Sequence, residues 1–558
     1  MYCPHCGKSI PDSATFCGHC GKSITRAPQN PGPAPQRTRR VVRLLAVAVA
    51  VLLLAGVGVT AWLTHGFGLF DGGIKKMQQM DALVAERLTP EALSTASQDQ
   101  QVALVQQTLD EAYAQGLIQD GYYFDPEVQM YNFVYANGAI GGVDLRVYDD
   151  ESFNGGAAIG TVAVVPAVLA PDAALIPQAQ ALNADGIRPN MLVLDAFGSK
   201  RDSTYDTYKQ YWEGLGFEVI LDKDVTVDDF TRFPVYDVVL ISMHGTMCHR
   251  HPALCLRQES SGDLDKKYKK ELDEQRIARI YCNGYFAAPR YYVLPAFFGE
   301  RSSSGSLDGT MVFTESCDFL GSHDIIGWFT GDQALGGDRD LKTEFPDAML
   351  DAGAKSVQGF VNSVSASYCI SLITYELYDL RDGFMLYQAL TFAQEHYGSD
   401  DSQYHDTDWP ARAFAYGDTD ASLGRPVPGT KLQNGMVVYA GTIEVVTVSK
   451  RLEEVGAGDS GYTIFGPTAL DHEYAILVLD EPAKATGWSY GPYADITRDV
   501  SSICLGNDWG SLTSVDLWRE FDGKHVYIAL GNGSFPSDVS GILYDVYMGK
   551  GIIMRVID

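Results

Sequence analysis

The sequence predicts an α/β chain, a mostly parallel sheet flanked by helices, with an all-β end. Three observations predict it. Five apolar stretches between residues 190 and 362 alternate with amphipathic helical stretches, the pattern of a parallel sheet buried on both faces. Residues 425–558 hold no long helical pattern, only apolar runs between Gly-, Pro- and Asp-containing turns. A charge-free run of 21 residues, 44–64, separates a cysteine-rich head from everything else.

The head comes first. Residues 1–24 read MYCPHCGKSIPDSATFCGHCGKSI, with Cys3, Cys6, Cys17 and Cys20 as two C-x2-C pairs. Each pair aims two thiolates at one point, and four thiolates satisfy tetrahedral Zn²⁺. The metal supplies folding energy that so small a core lacks. Two such pairs without a βαβ context speak against a redox CxxC, and His5 and His19 read as bystanders. The stretch resembles the zinc-ribbon heads that precede the membrane span of many bacterial envelope proteins. That resemblance implies a structural Zn²⁺ and a structural or docking role, with an unknown partner. Residues 25–43 form a Pro-rich basic linker.

Residues 44–64 (LLAVAVAVLLLAGVGVTAWLT) are predicted to span a membrane once, since a helix of that length covers roughly 30 Å. Arg37, Arg39, Arg40 and Arg43 precede it. The positive-inside rule then places the N-terminus in the cytoplasm and residues 71–558 outside the cell. Lys75 and Lys76 pull weakly the other way. Charge divides at the same place. Residues 1–43 carry seven Lys/Arg against one Asp, and the remainder carries 35 against 70 Asp/Glu. A net charge of −29 argues against a nucleic-acid partner. Six cysteines scattered beyond the head exclude a disulfide-dense scaffold.

Residues 71–185 are predicted to form a membrane-proximal α/β module. Met77, Met80, Val84 and Leu88 make one helical stripe, Pro90 interrupts, and Val102, Val105, Leu109 and Tyr113 make a second. A hairpin follows: VQMYNFVY, an Asn137-Gly138 turn, and GGVDLRVY. This module carries no evident chemistry.

Residues 186–424 hold the five predicted strands: NMLVLDAF (190–197), FEVIL (217–221), YDVVLISMHG (236–245), GTMVFTESC (309–317) and SVQGFVN (356–362). Sites in such sheets form at the carboxyl ends of strands, and two of these end on His244-Gly245 and Cys317. A His beside a thiol takes its proton and later protonates a leaving amine. The Gly245 N–H, with that of Cys317, would form an oxyanion hole.

These two motifs resemble those of caspase-like cysteine peptidases: caspases, metacaspases, legumains, gingipains, clostripain and separase. In that group a hydrophobic strand ends in His-Gly and the next ends in the catalytic Cys. VVLISMHG is similar to the first motif. VFTESCDFLGS is similar to the second, in its legumain form. The resemblance covers roughly residues 186–400. It implies that His244 and Cys317 form the dyad, that Gly245 serves the oxyanion, and that Glu315 lines the pocket for the side chain before the scissile bond. A buried carboxylate there favours Lys or Arg, although legumain-like members accept Asn. Asp195 is a second acid that would face the same pocket or cap a loop. Asp318 reads as a solvated carboxylate. The 63 residues from Leu254 to Ser316 include an extra segment, KKYKKELDEQRIARIYCNGYFAAPRYYVLPAFF, expected to bring strands of its own.

Two further clusters are weaker. CHRHPALC (248–255) reads as a Cys248–Cys255 disulfide before it reads as a metal site. Asp222, Asp224, Asp228 and Asp229 lack EF-hand spacing, which leaves a Ca²⁺ site unsupported. Residues 425–558 are expected to fold as a small antiparallel barrel or sandwich. Taken together, the sequence predicts a single-pass bacterial membrane protein displaying a cysteine endopeptidase that acts on peptides or proteins. The competing expectation is a non-catalytic surface binding or sensor protein.

Overall fold

The computed structural model describes residues 70–126, 128–147, 188–197, 202–283, 288–299, 307–321, 341–401, 411–432, 434–457, 468–489, 491–508, 513–536 and 539–557. The head, the linker and the predicted span at 44–64 lie outside the described residues. Among the described residues, no helix is long and apolar enough to cross a membrane.

Two helices open the described chain, α1 (Phe70–Arg87) and α2 (Gln98–Ala114). Ser97 caps α2 in a capping box with Gln100, which satisfies orphan N–H groups at both ends of the motif. Met77, Met80, Val84 and Leu88 are all buried as the stripe predicts, and so are Val105 and Leu109. Each such side chain stabilises the fold by about 1.5–3 kcal/mol. Tyr113 departs from the prediction. It is 46% exposed and leans on the Tyr122 ring at the end of the helix.

The predicted hairpin forms from β2 (Met130–Val134) and β3 (Ile140–Val147), preceded by β1 (Tyr123–Asp125). Gly138 at its turn takes φ +94°, open to glycine at little cost.

The five predicted parallel strands all form. They are β4 (Asn190–Asp195), β5 (Glu218–Asp222), β6 (Val238–Ser242), β11 (Met311–Glu315) and β12 (Ser356–Val361), and β13 (Arg412–Gly417) adds an antiparallel edge. Their order is β13-β12-β11-β6-β4-β5. Alternate residues enter two different cores. Leu192 and Leu194 face one, and Met191 and Val193 face the other. The second face is covered by α3 (Asp202–Gly214) and, after α4 (Glu344–Asp351), by α5 (Ala366–Arg381) and α6 (Leu386–Tyr397).

β7 (Gly245–Cys248), β8 (His251–Glu259), β9 (Ile277–Asn283) and β10 (Arg290–Val293) join the first hairpin in one seven-stranded sheet, β1-β2-β3-β9-β10-β8-β7. The extra segment brings two strands of its own, β9 and β10, as expected, and they enter this larger sheet. The seam is parallel, with Val143 opposite Tyr281. Met243 and His244 therefore carry the chain from one sheet into the other.

The last part forms a second seven-stranded sheet from β14 (Val437–Thr447), β15 (Glu473–Ser489), β16 (Ala494–Asn507), β17 (His525–Leu530), β18 (Gly533–Ser534), β19 (Val546–Tyr547) and β20 (Gly551–Ile557). β16 was not expected from its polar sequence. It pairs along β15 through the largely exposed stretch Ala494–Asp499. Phe384 and Phe392 of the α/β part share an apolar cluster with Val438, Ala529 and Met554 of this sheet.

Candidate functional site

The site grows from the carboxyl ends of three adjacent parallel strands. Their register aligns Asp195, Ser242 and Glu315 side by side on β4, β6 and β11. All three are buried. The Ser242 hydroxyl donates to Glu315 Oε2 at 2.8 Å. Asp195 Oδ1 accepts from the Phe197 N–H at 3.0 Å, a local turn that ends β4. Asp195 is thus both the loop-capping acid and a neighbour of the Glu315 position across Ser242.

Two residues beyond Ser242 and Glu315 come His244 and Cys317. Shared register places them at matching positions past the strand ends. The Met243 N–H extends the pairing, donating to the Glu315 carbonyl oxygen at 3.1 Å. A tighter constraint comes from Gly245. A Cβ built there would fall 1.7 Å from the Cys317 carbonyl oxygen and 2.4 Å from Ser316 Oγ. Only glycine lets the two strand ends approach this closely.

The Gly245 amide has a definite direction. Cys255 N–H donates to the His244 carbonyl oxygen at 2.8 Å, which makes 244 and 255 a hydrogen-bonded pair. Gly245 opposite Leu254 is then the non-hydrogen-bonded pair, and its N–H points away from β8. β7 is the last strand of its sheet, so that N–H points off the sheet edge.

His244 is half-buried, and its ring meets Phe197 edge-on with centroids 4.6 Å apart. Cys317 is also half-buried. Its sulfur accepts from the Val364 N–H at 3.5 Å and donates to the Val364 carbonyl oxygen at 3.7 Å. Burial, reinforced by the Asp318 charge, pushes the thiol up to about 11, with Arg146 and the Val364 amide pulling the other way. The thiol is protonated at neutral pH and needs a base to act.

Asp318 corrects the expectation of a solvated carboxylate. It is 3% exposed and sits at φ +54°, a left-handed conformation that Asp tolerates better than most residues. Its N–H donates to the Asn362 carbonyl oxygen at 3.0 Å and its own carbonyl accepts from Gly321. Those bonds fold the carboxylate inward, and burial pushes it up to about 6.

The Cys248–Cys255 disulfide does not form; both thiols are free and buried. Antiparallel pairing sets Cys248 opposite His251 at the hairpin turn, while Cys255 lies beside His244 four residues back. That is on the order of 13 Å along a strand, well beyond disulfide reach. The acidic run is engaged by cations: Arg232 pairs with Asp222 and, at 2.8 Å, with Asp229, and Lys267 pairs with Asp228. Among the described residues no group of His, Cys, Asp and Glu is arranged to hold a metal. Cys3, Cys6, Cys17 and Cys20 lie outside the described residues.

Sequence reasoning missed Ser242, Phe197, the Val364 backbone and Arg146. Only their positions against the strand ends mark them, and those positions require the register. A separate cavity of about 660 Å³, lined in part by Phe392, Trp518 and Ile553, lies at the joint with the C-terminal sheet and contains none of the predicted site residues.

Residues 2–24 match the zinc-ribbon domain family, consistent with a structural Zn²⁺ held by the four head cysteines. No curated protein matches the chain.

Proposed function

We propose that the chain is a membrane-anchored bacterial cysteine endopeptidase of the caspase-like type, with Cys317 and His244 as its dyad. The observation that carries this reading is the contact of Gly245 with the Cys317 backbone, which brings a His-Gly strand end against a Cys strand end. In this reading the peptide carbonyl lies over Cys317. His244 takes the thiol proton as sulfur attacks, and the Gly245 N–H stabilises the oxyanion. The C–N bond breaks as His244 returns the proton to the leaving amine. Water then hydrolyses the thioester. Glu315, with Asp195 beyond Ser242, supplies negative charge to a pocket that prefers Lys or Arg.

The span at 44–64 holds the chain in the cell membrane with the zinc ribbon in the cytoplasm and the peptidase outside. The ribbon is a structural or docking element in this arrangement, and the β-rich end covers or binds beside the peptidase.

Burial, which pushes the Cys317 thiol up to about 11, favours the non-catalytic binding alternative. A peptide electrophile decides between the two. Labelling at Cys317, lost in Cys317→Ala and strongly slowed in His244→Ala, supports the peptidase. Absence of labelling in the intact protein, with or without limited proteolysis, supports the binding protein.

A further inference from the structure

We propose that Arg146, from the module that precedes the dyad, is a positioning residue of the active site: it ties the Gly245–Thr246 arm to Asp318 and brings a positive charge to the turn that follows Cys317. This deepens the peptidase reading and rests on it for the role of Cys317.

Arg146 lies near the end of β3. Its own strand fixes it first. Nε donates to Asp144 Oδ1 at 3.1 Å and Nη2 to Asp144 Oδ2 at 2.7 Å, a two-pronged pair with a fully buried carboxylate. Such a fork sets the plane of the guanidinium as well as its place. From there Nη2 donates to the Thr246 hydroxyl, 100 positions along the chain. Thr246 directly follows Gly245, the residue packed on the Cys317 carbonyl. Nη1 lies 3.9 Å from Asp318 Oδ2, and Asp318 directly follows the nucleophile. One side chain thus touches the residue after each of two catalytic positions. The guanidinium remains a quarter exposed, so it is not sealed into a core.

The charges around the sulfur are unequal. Glu315 on its own strand and Asp318 in the following turn oppose a thiolate. Arg146 from β3 favours it, as does the Val364 amide. His244, between β6 and β7, is the proton acceptor. Asp144 acts at one remove, since it neutralises part of Arg146 and disfavours ionisation of Asp318. Arg146 is therefore the cation that offsets two carboxylates at the nucleophile.

The test uses the full-length protein in detergent, with iodoacetamide as the probe and mass spectrometry of the Cys317 peptide as the readout between pH 7 and 9.5. Arg146→Gln should slow alkylation about three- to fourfold across that range for each unit by which the thiol pKa rises, since the loss of thiolate outweighs its greater nucleophilicity. Arg146→Lys, which keeps the charge but loses the two-pronged pair with Asp144, should restore part of the rate. Asp318→Asn should speed alkylation, and it reads the same triangle from the other side if Arg146→Gln fails to fold. Equal rates in wild type and Arg146→Gln, or a slow rate shared by the Gln and Lys variants, would overturn the inference. So would Asp318→Asn leaving the rate unchanged. Iodoacetamide needs no peptide recognition. A rate shift in the absence of peptide-electrophile labelling therefore overturns the peptidase reading and upholds the arginine's electrostatic role.

Discussion

Ser242 and Glu315 are register partners on parallel strands, and the Ser242 hydroxyl donates to the Glu315 carboxylate at 2.8 Å inside the sheet's helix-covered face. In the proposed pocket, this is the acid that would meet a cationic side chain of the substrate. Glu315→Gln is expected to shrink any preference for Lys/Arg peptides over Asp peptides, with electrophile labelling of Cys317 largely intact. Peptide kinetics on the purified protein checks this. A preference that survives would move the pocket acid to Asp195. Ser242→Ala should cost about 0.5–1.5 kcal/mol in denaturant unfolding, because it removes one hydrogen bond to the buried Glu315 carboxylate.

Gly245→Ala should be far more damaging than its size suggests. Its methyl would have to displace the Cys317 carbonyl and Ser316 Oγ, an overpacking that costs roughly 1–3 kcal/mol. Both displaced groups belong to Ser316 and Cys317, beside the proposed nucleophilic sulfur. Labelling of Cys317 should fall by orders of magnitude while the thermal midpoint falls only a few degrees. A variant with wild-type labelling would remove Gly245 from the site.

Asp318 predicts a pH dependence of opposite sign to that of most carboxylates. Its pKa is raised by burial to about 6, so the folded state holds its proton more tightly than the unfolded chain. Between about pH 4 and 6 the unfolded state binds fewer protons, and stability falls as pH rises through that window. The shift of about two units corresponds to about 3 kcal/mol. Asp318→Asn should match wild type near pH 4 and melt at a higher temperature at pH 7.5. Thermal scans at both pH values check it, and identical pH profiles would count against a buried Asp318.

Cysteine accessibility supplies a fourth expectation. Cys248, Cys255, Cys282, Cys369 and Cys504 are buried and Cys317 is half-buried. With Zn²⁺ present to occupy the head, a small alkylating agent should modify Cys317 first and the other five only on unfolding. Non-reducing peptide maps should contain no Cys248–Cys255 crosslink. Chelation should expose Cys3, Cys6, Cys17 and Cys20 to alkylation without changing the Cys317 rate.

Much of the fold was legible because the sheet's strands are almost wholly apolar. VVLIS and MVFTE announce themselves, and the residues at their ends follow. The partnership of β3 with β9 was not legible. Each strand has its own local hairpin partner, and nothing in GGVDLRVY points to IARIYCN. For the same reason Arg146 carried no signal: its importance lies in what a distant strand brings beside it. Asp318 was misread because an Asp after a strand is usually solvated, and the turn that folds it inward depends on Asn362, which arrives from β12. The CHRHPALC stretch misled through spacing alone, since the hairpin turns immediately after Cys248 and carries Cys255 away along the opposite strand to the level of His244.

The shared sheet also constrains how the chain comes into being. Tyr135 and Tyr281, whose hydroxyls meet at 3.4 Å, are 146 positions apart. At a synthesis rate of about 5–20 residues per second, β3 emerges on the order of ten seconds before β9 exists to cover it. During that interval its open edge is a template for any other extended strand. The early helices and hairpin are thus born with an unmet partner, and a nascent chain halted before Asn283 would be a substrate for chaperones and proteases rather than a smaller version of the protein.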